Sequence, residues 1–134
     1  MRLQISILIS ILTVVSASSQ NYIGMTKEQL IQAVEKNNTS FNLDDGVKNN
    51  TYNYVKFSDK NNEETWLFFL NDKNICTHHK MMSDYSNLNS RVDEFNKKYT
   101  KAIKDVWVFV DKGVSYKVEI KRDEWFFSVL THKN

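Results

Sequence analysis

The chain has no proline, three glycines and a single cysteine in 134 residues. A lone Cys76 cannot close an internal disulfide, so the fold rests on its apolar core rather than on cross-links. Charge of one sign is lacking too, with 18 basic against 16 acidic residues. A general nucleic-acid binder would show a basic excess gathered on one face, so nucleic acid is not an expected partner. Catalytic signatures are also missing: the sequence holds no Gly-x-Ser-x-Gly, no Gly-rich phosphate loop and no His-Glu-x-x-His.

One apolar run stands out. Arg2 precedes an uncharged stretch from Leu3 to Val15, followed by the small residues Ser16, Ala17, Ser18 and Ser19. That order is the layout of a cleavable signal peptide, and the run is shorter than the roughly 20 apolar residues a membrane span needs. Ala17 and Ser19 place the expected cut before Gln20. The expected organisation is a signal peptide over 1–19 and one α+β domain over 20–134, secreted or periplasmic and without a membrane anchor. Losing Arg2 lowers the 18 basic residues to 17 against 16 acidic, a net charge of +1.

Thr26 with Gln29 three residues on has the form of a capping box, and Leu30, Ile31 and Val34 follow at helical spacing. Residues 38–50 are polar and read as a loop. Strand-like runs follow at Thr51–Phe57, Thr65–Leu70 and Ile75–Met81, the last two joined by the turn residues Asn71-Asp72-Lys73-Asn74. A second helix is expected over Asp84–Tyr99, where Tyr85, Leu88, Val92, Phe95 and Tyr99 recur at spacings of three and four. Lys97, Lys98, Lys101 and Lys104 crowd its C-terminal end, where positive charge suits the helix dipole. Asp105–Val110, Val114–Lys121 and Glu124–Thr131 read as three more strands, the first two joined through Gly113. The expected order is α-βββ-α-βββ, with two helices on an antiparallel sheet and a similar layout in each half, as a duplicated unit would have.

Three of these strands are apolar on both faces, and two helices cover only one face of an open sheet. The other face must curl onto itself, lie under loop 38–50, pair with a second copy as a homodimer, or bind a ligand. Trp66, Phe68, Trp107, Phe109 and Phe126 are the expected ligand-binding residues, for a protein or a small molecule. Cys76 and His78 form the one grouping with metal or nucleophile chemistry, and strand alternation puts them on one face. Two ligands fall short of the three or four a zinc site needs, and a nucleophilic Cys needs an adjacent base with a third group behind it. No metal, cofactor or catalytic residue is therefore expected. The residues favour a non-enzymatic binding module over a small Cys/His enzyme or a structural homodimer.

Two resemblances bear on this. Ile23-Gly24-Met25-Thr26-Lys27-Glu28-Gln29-Leu30 resembles the opening of SmpA/BamE and β-lactamase-inhibitor-protein-like domains. These are exported α+β modules that bind other proteins; the Gly-x-Pro that follows their helix is replaced here by Lys36-Asn37-Asn38. Across most of the remaining chain, the Cys after the hairpin, the Asp-Tyr-Ser-x-Leu helix entry at Asp84–Leu88 and the Trp-Phe-Phe of the last strand are similar to small secreted proteins of Bacteroidetes. That likeness implies the architecture and the export, and no particular activity.

Overall fold

A computed structural model describes residues 21–44 and 53–134. The expected signal peptide lies outside the described residues, as do 45–50 of the expected loop and the first two residues of the expected strand Thr51–Phe57. The order is α1 (Lys27–Asn37), β1 (Asn42–Leu43), β2 (Tyr54–Asp59), β3 (Glu64–Leu70), β4 (Cys76–Asp84), α2 (Leu88–Lys98), β5 (Thr100–Ile103), β6 (Val106–Asp111), β7 (Val114–Arg122) and β8 (Phe126–Lys133). All eight strands form one antiparallel sheet, ordered β1-β2-β3-β4-β8-β7-β6-β5. The molecule is α+β. Among the described residues each helix is followed by four strands rather than three, because β1 lies inside the expected loop and β5 in the short segment between the expected second helix and the strand after it.

Local chemistry accounts for the boundaries. Thr26 Oγ1 accepts from the Gln29 amide at 3.3 Å while Gln29 Oε1 accepts from the Thr26 amide at 3.1 Å, closing the capping box of α1. Lys112 (φ 50°) and Gly113 (φ 78°) are both left-handed, which is what a two-residue hairpin joining twisted strands requires. The second helix is shorter than its periodicity suggests. Asp84 belongs to β4 and accepts from the Ser86 amide at 2.9 Å, starting a single 3₁₀ turn over Tyr85–Asn87 before α2 begins. Lys101 lies in β5 and Lys104 beyond it, so only Lys97 and Lys98 stand in the last turn of α2.

Register decides what each sheet face carries. On the inner face, one row runs Val55–Phe68–His79–Thr131–Val118–Trp107 across six strands, and a neighbouring row runs Phe57–Trp66–Met81–Val129–Ile120. Leu30 and Val34 of α1 and Phe95 of α2 join this face in a single core. Trp107 is buried at the α2 contact, its ring 5.3 Å from Phe95 and its Nε1 donating to Asn96 Oδ1 at 2.9 Å.

The outer face is mixed. One row reads Lys56–Leu67–Lys80–Leu130–Glu119–Val106, and the next reads Tyr54–Phe69–His78–His132–Lys117–Val108. In the first row charged side chains alternate with apolar ones, in the second His78, His132 and Lys117 separate the aromatic end from Val108, and long lysine stems can lie over apolar neighbours. The second apolar face that strand composition suggests is broken up by this register.

Candidate functional site

A cavity of about 320 Å³ lies where the two halves meet, within the usual size range of small-molecule sites. Its sheet side is formed by Trp66, His79, Met81, Val129, Thr131, Val118 and Phe109 from β3, β4, β8, β7 and β6. From the helices come Asn37 of α1 and Arg91, Glu94, Phe95 and Lys98 of α2, with Asn38, Phe41 and Tyr99 from the segments that follow them. Asn21 and Tyr22 complete the wall.

The chain ahead of α1 delivers Tyr22. Gly24, at φ 92°, lets the backbone turn and donate to the Cys76 carbonyl at 2.8 Å, and the Cys76 amide donates back to Met25 at 2.9 Å. The Tyr22 ring then meets Trp66 edge-on at 5.2 Å and Phe68 at 5.4 Å. Asn38 Nδ2 donates to its hydroxyl oxygen at 3.0 Å, and burial raises the phenol pKa against that bond.

His79 and its cross-strand neighbour Thr131 are the polar residues on the cavity's sheet side. Trp66 Nε1 donates to His79 Nδ1 at 3.1 Å. The imidazole is also surrounded by the rings of Tyr22, Trp66 and Phe68 at centroid distances of 6.0, 5.5 and 5.2 Å. Burial, followed by the nearby His78, pushes its pKa down to about 3. The ring is therefore neutral and, with Nδ1 occupied as an acceptor, carries its proton on Nε2. A neutral imidazole in that tautomer is a hydrogen-bond donor to the cavity and a poor base.

The cationic side chains of the wall are matched. Arg91 makes two hydrogen bonds to the buried Glu64 carboxylate, at 2.8 and 3.0 Å, and one to Glu94 at 2.9 Å; Lys98 reaches Glu94 at 3.2 Å. Burial alone would depress the Arg91 pKa, but these carboxylates overcome it and raise the value. The arrangement offers flat aromatic walls and an imidazole N–H, with Arg91 and Lys98 balanced by Glu94 in the wall and by Glu64 behind it.

Four of the five expected ligand-binding residues lie on the inner face. Trp66 and Phe109 line the cavity, while Phe68 and Trp107 are fully buried around it. Phe126 is on the outer face at the start of β8, 37% exposed and beside the exposed Trp125. Cys76 and His78 are not brought together. A bulge at Thr77 lets Leu70 pair with Cys76 and Phe69 with His78, which turns Cys76 inward and His78 outward. The His78 ring stacks on Phe69 at 4.5 Å, and burial raises the Cys76 thiol to about 12. Such a thiol is not a thiolate nucleophile at neutral pH. Among the described residues no three His, Cys, Asp or Glu side chains group as metal ligands.

His79, Tyr22 and Arg91 are the site residues that sequence reasoning missed. The cross-strand row Trp66–Met81 beside Phe68–His79 could have flagged His79, but only once the bulge had set the register. No family model, curated protein or solved structure matches the chain.

Proposed function

We propose that this chain is an exported, non-enzymatic binding module that takes up a small, largely apolar molecule between its sheet and its helices. The observation that carries the reading is the aromatic cavity itself, lined by Tyr22, Phe41, Trp66, Phe95, Tyr99 and Phe109 around a neutral histidine. Concave sites that set a few placed polar groups among aromatic walls are the usual form of a small-molecule site, and here the rings share the lining with Asn37, Asn38, Thr131 and the Arg91–Glu94–Lys98 group. Titration with N-phenyl-1-naphthylamine, an uncharged aromatic fluorophore, tests it. Saturable uptake of one molecule per chain is expected, and uptake without saturation would contradict it.

The same arrangement supports an origin by duplication of an α-ββββ unit. The sheet order reads outward identically from the β4–β8 pairing, with β3–β4 and β7–β8 in corresponding places. In this reading the cavity is the seam between two copies, each contributing a helix and part of the sheet side. Export rests on the Arg2, apolar and small-residue order of residues 1–19. It predicts that the mature protein, analysed by mass spectrometry, begins at Gln20; a product retaining Met1 would refute it.

A further inference from the structure

We propose that the molecule held in this cavity is flat and uncharged, and that it presents a hydrogen-bond acceptor, such as a carbonyl or ring nitrogen, to Nε2–H of His79. The proposal rests on the cavity being the binding site. It is carried by where the two imidazole nitrogens stand. Trp66 Nε1 can only donate, so His79 Nδ1 at 3.1 Å must accept, and the ring proton is fixed on Nε2.

Nε2 has no partner among the described residues. It is not sealed in protein either. Ser128 Oγ is the one fully enclosed side-chain nitrogen or oxygen without a partner among them, which leaves His79 Nε2 open to space on a ring that lines the cavity. An unpartnered N–H on the wall of a space that admits water can donate to a ligand acceptor that takes the water's place, which would fix the ligand's orientation.

Charge and shape narrow the class further. Arg91 and Lys98 are held by Glu64 and Glu94, so an anionic ligand would find its counter-charge already engaged. A cation would face an N–H donor. The rings of Tyr22, Trp66 and Phe109 offer flat apolar surfaces, which suit a planar molecule.

The test compares 2-acetylnaphthalene with 2-isopropenylnaphthalene, two molecules of the same outline that differ in carrying C=O or C=CH₂. Their binding ratio is measured by tryptophan quenching in the wild type and in His79→Phe. The acetyl-over-isopropenyl preference should fall about fivefold in His79→Phe, a change of about 1 kcal/mol. In the wild type the His79 Nε2 resonance, followed by nitrogen-15 NMR, should move with the acetyl compound and stay in place with the isopropenyl compound. If both molecules bind, the ratio is unchanged by the substitution and the resonance does not move, the acceptor proposal is overturned and the pocket reading stands. If neither binds, the pocket reading falls and takes the proposal with it. Should His79→Phe fail to fold, His79→Gln can accept from Trp66 and donate to the cavity, and it should retain the preference. Loss of the preference in that variant would count against the proposal, and the NMR readout needs no substitution.

Discussion

His79 couples the stability of the protein to pH as well as lining its cavity. Its pKa is depressed to about 3 from an ordinary 6.5, so the folded state keeps the ring neutral where the unfolded chain takes up a proton. Below about 6.5 the unfolded state binds more protons, and stability falls as pH drops towards 3, by at most about 1.4 kcal/mol per pH unit. The lowered pKa of His78 acts in the same direction. The lowered carboxylates of Asp59, Asp84 and Asp105 add their loss at lower pH, as they approach protonation. Urea midpoints at pH 7 and pH 5 therefore isolate the histidines. The midpoint should drop on going to pH 5 in the wild type, and drop less in His79→Phe. An equal drop in both would show that His79 is not the group responsible. Cys76 and His78 illustrate how far a single inserted residue matters: Thr77 alone separates a pair that simple alternation would have placed side by side.

At the scale of elements, β3 and α2 are tied by Glu64 and Arg91. The Glu64 side chain is 6% exposed and the Arg91 side chain 23%, so removing the arginine leaves a carboxylate in the protein without its partner. Arg91→Met is expected to destabilise by about 3 kcal/mol, measured by urea unfolding, and Glu64→Gln in the same chain should recover part of that loss. A change within about 0.5 kcal/mol for Arg91→Met would mean that solvent already screens the pair.

Much of this layer was legible in the sequence. The capping box of α1, the hairpin at Lys112-Gly113 and the long strands followed from turn chemistry and hydrophobic pattern. The short strands did not. Asn42–Leu43 is two residues long, and Thr100–Ile103 is exposed throughout, so neither carries the alternation that marks a half-buried strand. The start of α2 was misplaced because Tyr85 sits at helical spacing from Leu88 while its backbone forms a 3₁₀ turn.

Across the whole molecule, the aromatic strands suggest a second apolar face, and register turns most of those rings inward. Composition alone left two apolar sheet faces. Pairing put Lys80 between Leu67 and Leu130, and Glu119 between Leu130 and Val106, on one side. It gathered Trp66, Phe68, Trp107 and Phe109 on the other, among core residues and around a cavity. Such long-range pairing is set by the complete sheet, so no local window of sequence contains it.

The claim that this cavity is the binding site is tested most directly by titrating N-phenyl-1-naphthylamine into the wild type and into Val129→Phe. Val129 is 4% exposed and stands on the cavity's sheet side, and the larger ring would occupy the space a ligand needs. The wild type should bind one molecule per chain with saturation, while folded Val129→Phe should lose at least tenfold in affinity. Equal binding by the two proteins would place the ligand elsewhere and contradict the account.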